Sequence, residues 1–192
     1  MKKTLSTTAL PGILGIVLIV SGCGVDEDKV RQIAREEAGK VAGVKLQSPA
    51  REKFGFGIVW EKEYSYAQGV KASNMVFVSG QLAQDTEVDE AGNPKQDLMT
   101  GKNFEQQFRT TLENIKKVLA HYDSTPDDVV FLQIFVDREA GGNKVGDYYP
   151  AFASLISEFF PKGQHAMTLV EVDNLFGSEQ LVEANAIAVV KE

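Results

Sequence analysis

The sequence is poor in cysteine, with one in 192 residues, and in histidine, with two. One cysteine excludes an intrachain disulfide, a CxxC redox pair and a cysteine-rich zinc site. His121 and His165 are too few for a histidine-based metal centre, so neither a metal nor another cofactor is expected. Cations are in deficit too: 20 Lys+Arg stand against 27 Asp+Glu, a formal net charge of −7. Nucleic acid is therefore not an expected partner, because phosphate contacts need clustered Lys and Arg. Repeats and low-complexity tracts are absent. What remains, 43% hydrophobic and 24% charged residues, is the balance of a globular domain rather than of a disordered chain.

The first positive feature is at the N-terminus. Lys2 and Lys3 precede Ala9 to Val20, an uncharged, largely apolar run of the length of a signal-peptide core. That run is shorter than the about 20 apolar residues a membrane-crossing helix needs. Val20-Ser21-Gly22-Cys23 then resembles the bacterial lipobox, whose cysteine is acylated and becomes the new N-terminus. The sole cysteine of the chain stands at the one position this motif requires. The expectation is a lipoprotein signal peptide at 1–22 and a lipid anchor at Cys23. The protein would then be exported to the periplasmic or cell-surface face of a bacterial membrane. Stable anchoring takes more than one acyl chain. Loss of the leader removes two lysines and no acid, which moves the net charge from −7 to −9.

Residues 23–53 read as an acidic spacer. Asp26, Glu27 and Asp28 suit a helix start, and Val30, Ile33, Ala34, Ala38 and Val41 recur at helical spacing. Glu36 and Lys40 are placed to pair at i,i+4. Gly39 and Gly43 weaken the helix, and Ser48-Pro49 ends it. A self-associating helix is the alternative, but two turns of small apolar residues bury little, which favours a spacer.

The globular domain is expected at 54–192. Residues 66–72 and 75–82 read as a hairpin around Ser73-Asn74. Residues 85–101, rich in Asp, Glu, Gly and Pro, read as a loop. Phe104, Phe108, Leu112, Ile115, Leu119 and Tyr122 form one apolar stripe, which predicts a helix over 103–122, with Glu113 paired to Lys117. Residues 129–136 read as a strand, and Asp137-Arg138-Glu139 as part of a solvated loop. A second helix is expected over 147–160, with Asp147 as N-cap and Pro150 in the first turn. Strands over 165–172 and 181–190 complete the order ββαβαββ. This predicts an α+β class with two helices on one face of a mixed β-sheet.

Several stretches, in order, carry a family resemblance. Ser65 to Val70 and Asn74 to Gln81 resemble the opening hairpin of the Rid family of reactive intermediate deaminases (YjgF-like). Thr111 to Leu119 resembles its first helix, and Asp127-Asp128-Val129-Val130 the entry to its next strand. Leu169 to Val172 and Val182 to Ala188 resemble its last two strands. The resemblance covers about residues 60–191. It implies a chorismate-mutase-like fold, a homotrimer with pockets between adjacent subunits, and hydrolysis of enamines and imines to keto acids and ammonia.

The resemblance also places the pocket residue by residue. The arginine that clamps the substrate carboxylate, by two parallel charge-assisted bonds, corresponds here to Met167. The pocket Cys or Thr corresponds to Leu169, the glutamate that handles the attacking water to Asn185, and a helix asparagine to Ala153. Tyr66, Ser79 and Gly80 are kept. Methionine cannot clamp an anion, and an amide is no general base near neutral pH. Trp60 to Glu63 and Thr168 to Glu171 resemble a divergent branch without the arginine. Strand alternation puts Met167, Leu169 and Glu171 on one side of their strand, and Glu183 and Asn185 on one side of theirs.

The other polar residues have plainer readings. His165 reads as an exposed strand end and His121 as structural. Glu171 and Glu183 are candidates for an acid/base pair or for ordering an interface. Tyr66 is the strongest candidate for ligand contact, since a phenol both stacks and hydrogen-bonds. The resulting expectation is an exported Rid-like protein that binds a small molecule in an apolar pocket. The alternative is a deaminase or related hydrolase of altered specificity. The third, an endoribonuclease-like activity, is opposed by the negative charge.

Overall fold

The computed structural model describes residues 26, 28–29, 31–32, 35–36, 49–141 and 146–191. Cys23, the signal segment before it and Lys40 lie outside the described residues. The chain divides into two units, Met1–Gln47 and Ser48–Glu192. In the first, Asp28, Lys29, Arg31, Gln32, Arg35 and Glu36 are helical. Asp26 Oδ1 accepts from the Asp28 and Lys29 amides, at 3.1 and 3.3 Å. The Gln32 amide donates to Glu36 Oε1 at 3.1 Å.

The second unit runs β1 (Arg51–Phe54), α1 (Val59–Glu63), β2 (Gly69–Ala72), β3 (Met75–Gln81), α2 (Phe104–His121), β4 (Val129–Asp137), α3 (Tyr149–Phe159), β5 (Ala166–Val172) and β6 (Val182–Val189). From β2 onward this is the expected ββαβαββ. The six strands form one sheet in the order β1-β2-β3-β6-β4-β5. Only the β4–β5 pair is parallel, so the sheet is mixed.

One face of the sheet carries the core. Val76, Val78, Leu132, Ile134, Val136, Val182, Ala184, Ala186 and Ala188 are buried there with the stripe of α2 and with Phe152 and Leu155 of α3. The three alanines of β6 let α2 approach the sheet closely. The opposite face presents Phe77, Phe131, Gln133, Phe135, Asn185, Ile187 and Val189, and Phe77 is 41% and Val189 38% exposed.

Five local expectations are corrected. Residues 51–53, read as spacer, belong to β1, which pairs Arg51 with Ala72 through Phe54 with Gly69. A four-residue edge strand reading REKF has no apolar face to announce it. Tyr148, not Asp147, caps α3, with no side-chain cap bond; Pro150 does sit in the first turn. Glu113 pairs with Lys116 at 3.7 Å, while Lys117 reaches Thr86 Oγ1 at 2.8 Å. Arg138–Gly141 is a 3-10 turn, not open loop, with Arg138 held by Asp173 at 2.8 Å. His165 is half-buried against the Phe160 ring, with centroids 4.7 Å apart. Burial lowers its pKa and favours the neutral imidazole. His121 is structural: it stacks on Phe54 at 4.1 Å and meets Glu52 Oε1 at 3.6 Å, tying α2 to β1.

Candidate ligand-binding site

The β3 strand is irregular where it matters. Its pairing with β6 shifts between Val78 and Gln81, so Ser79 and Gly80 form a bulge. Bulges bend a strand and re-aim its neighbours, and they recur beside functional sites. The Ser79 hydroxyl donates to Ala67 O at 2.6 Å, and the Ser79 amide to Gln68 O at 2.9 Å. These bonds lock the bulge to the turn before β2. The Glu183 carboxylate of β6 fills the space that Gly80 leaves. A Cβ on residue 80 would collide with Glu183 Oε1. Glu183 Oε2 accepts from Gln180 Nε2 at 3.1 Å.

Tyr66 is held by a buried polar chain. Glu61 Oε1 accepts from the Phe56 amide and from Gln68 Nε2, both at 2.9 Å, and Glu61 Oε2 accepts from the Gly57 amide at 3.1 Å. Gln68 Nε2 also donates to the Tyr66 hydroxyl at 3.2 Å, and Gln81 Nε2 donates to Gln68 Oε1 at 2.7 Å. Gln68 and Gln81 are fully buried. Gln68 is a donor only in this contact, so the phenolic hydrogen is left for another acceptor. Burial raises the Tyr66 pKa, with the Glu61 and Glu183 charges adding to it against the bond from Gln68. The phenol therefore stays protonated.

Tyr66, Ser79, Gly80 and Glu183 meet at a cavity of about 560 Å³, walled further by Trp60, Glu63, Tyr64, Leu82, Met99 and Phe176. This volume is that of an ordinary small-molecule site. No Lys, Arg or His lines it. The aromatic contributors Trp60, Tyr64 and Phe176 escaped the sequence analysis as site residues. The close spacing of aromatics at 60, 64 and 66 is a signal that could have found the first two.

The remaining candidates lie elsewhere. Met167 and Leu169 sit on β5, three strands from β3, or about 14 Å at normal strand spacing. Met167 and Leu169 pair with Leu132 and Ile134, which puts them on the helix side. Asn185 pairs with Gln133 and lies on the opposite side, its buried Oδ1 without a partner. Ala153 is exposed on α3. A single chain therefore does not gather Ala153, Met167, Leu169 and Asn185 into one pocket. Glu171 and Glu183 also fail to meet. The β4 strand separates them, and alternation turns them to opposite faces. Glu171 instead accepts from the Tyr148 hydroxyl at 2.7 Å, a bond that fixes β5 to the start of α3.

A mixed sheet backed by two helices, with a cavity at a bulge of β3, defines an α+β domain. The chain belongs to the family described as Endoribonuclease L-PSP, whose model matches residues 60–190. A RutC family protein of Saccharolobus solfataricus is 32% identical over 123 residues, 64% of this chain and 85% of the relative. The 3-aminoacrylate deaminase RutC of Acinetobacter baylyi is 30% identical over 123 residues, with the same coverage. A solved YjgF/YER057c/UK114 family member from Mycobacterium tuberculosis superposes with a TM-score of 0.58 at 23% identity. It covers 73% of this chain and all of its own, a likeness of fold that agrees with the expected chorismate-mutase-like arrangement.

Proposed function

We propose that this protein is an exported, lipid-anchored member of its family that binds a small molecule in the β3-bulge cavity. A second copy would complete the cavity, and archetypal imine deamination would be weak or lost. The observation that carries the reading is the cavity wall itself: Tyr66, Ser79, Gly80 and Glu183 converge there without a single cationic side chain. A carboxylate-bearing imine would have nothing to clamp it. The uncovered apolar sheet face and the separation of Met167, Leu169 and Ala153 from the cavity support assembly with further copies, a homotrimer by resemblance. In such an assembly those three residues of one copy would approach the half-site of the next.

The decisive experiment is ammonia release from 2-iminobutanoate. The expected rate is far below that of a family member that has the arginine; an equal rate overturns the reading. A companion variant, Met167→Arg with Asn185→Glu, is expected to raise that rate. The second reading is a hydrolase of altered specificity, favoured by Glu183 and the protonated Tyr66 in one cavity. There the carboxylate would take a proton from a water adding to the C=N carbon while the phenol gives one to nitrogen, forming a carbinolamine; the carboxyl group then passes its proton to nitrogen, the carbinolamine hydroxyl gives its own to the phenolate, and ammonia leaves as the C=O bond forms. An RNA substrate is disfavoured by the net charge of −7.

A further inference from the structure

The wall of the cavity has a chemical bias that goes beyond the binding of some small molecule. Its polar charge is entirely negative, supplied by Glu63 and Glu183. Its apolar part is largely π-surface. Trp60 comes from α1, Tyr64 from its C-cap, Tyr66 from the segment before β2, and Phe176 from the β5–β6 connection. Tyr64 and Phe176 meet edge to face with centroids 6.4 Å apart. Both are left open to solvent, Tyr64 at 64% and Phe176 at 92%. An aromatic ring that exposed gains nothing from the fold. Ring faces attract cations through their quadrupole, and aromatic walls with nearby carboxylates are the arrangement that holds alkylammonium groups. The seat of Glu183 is built, since Gly80 makes room for its carboxylate and Gln180 fixes it. Tyr66 is pinned from behind by Gln68.

We infer that the cavity takes a small organic cation, a methylated or quaternary ammonium compound, rather than an amino-acid-derived anion. The ammonium sits among Trp60, Tyr64, Tyr66 and Phe176, and Glu183 balances its charge. This inference rests on the small-molecule reading above and names the ligand class for the same site.

The single tryptophan of the chain is Trp60, so its fluorescence reports occupancy directly. The full chain is titrated with choline, with its uncharged isostere 3,3-dimethylbutan-1-ol and with butanoate. Choline is expected to bind at least about tenfold more tightly than the isostere, and butanoate not to bind. Glu183→Gln and the solvent-exposed changes Tyr64→Ala and Phe176→Ala are each expected to weaken choline about tenfold. Phosphatidylcholine vesicles in place of choline separate a lipid headgroup from a free solute, and a response to either supports an ammonium. Equal binding of choline and its isostere overturns the cation assignment and leaves the small-molecule reading standing. Tighter binding of butanoate than of choline overturns the assignment too. Silence of Trp60 towards all three ligands overturns the assignment and the small-molecule reading together.

Discussion

Two glycines show how differently a missing Cβ is used. At Gly69 a Cβ would lie 2.6 Å from Val118 Cγ1 and 2.9 Å from Tyr122 Cε2, both in the packed core. Gly69→Ala overpacks this site and is expected to cost about 1–3 kcal/mol in urea denaturation. At Gly80 the obstacle is the tip of a flexible side chain, Glu183. Gly80→Ala is therefore expected to leave the denaturation midpoint nearly unchanged and to lower ligand binding at Trp60, by pushing the carboxylate from its seat. Tyr148 gives a pH signature. Burial first, then the bond to Glu171 and its charge, raise its pKa well above the usual value of 10.0. The folded state then keeps a proton that the unfolded chain gives up. Its contribution is complete below about pH 10 and is lost as pH rises above it. Tyr148→Phe is expected to flatten the alkaline limb of stability against pH.

At the scale of elements, legibility followed the strength of the local pattern. The α2 stripe repeats every three or four residues, so its boundaries and buried face could be read directly. Its start is sealed by a full capping box, in which Asn103 Oδ1 accepts from the Gln106 amide at 3.0 Å and Gln106 Oε1 from the Asn103 amide at 3.1 Å. Asn103→Ala is expected to cost about 1 kcal/mol by the same denaturation assay. The β1 strand and α1 lack any such pattern: Arg51-Glu52-Lys53 has no apolar alternation, and α1 buries no residue. Their order comes from elsewhere, from the β2 ladder and from the Glu61 carboxylate bonded to the Phe56 and Gly57 amides. Alternation within β5 and β6 also held, yet it could not say which face of the sheet each set occupies. That depends on how both strands pair with β4, and the pairing turned Met167 and Asn185 apart. Trp60, Tyr64 and Phe176 were hidden for a related reason, because ring clusters at a rim follow no periodicity.

Among the described residues of the second unit, one sheet face is covered and the other bare. Seven side chains that include Phe77, Phe131, Phe135, Ile187 and Val189 line the bare side, a patch of the kind that self-association covers. The full chain is expected to sediment as a trimer, and Phe77→Asp to shift it to monomers while the denaturation transition survives. Lipid attachment is checked by metabolic labelling with palmitate, with label expected on the chain and absent after Cys23→Ser. In a chain held to a membrane through its N-terminus, any tension from the tether enters the domain at Arg51, the first residue of the edge strand β1. That strand is four residues long and leads straight into the Phe56 and Gly57 amides that clasp Glu61. It would peel before the central ladder yields, and with it would go the brace behind Gln68 and Tyr66. The cavity thus sits next to the short edge strand by which an N-terminal tether would enter the domain, so that a pull along such a tether would be felt first as a loosened hold on Tyr66.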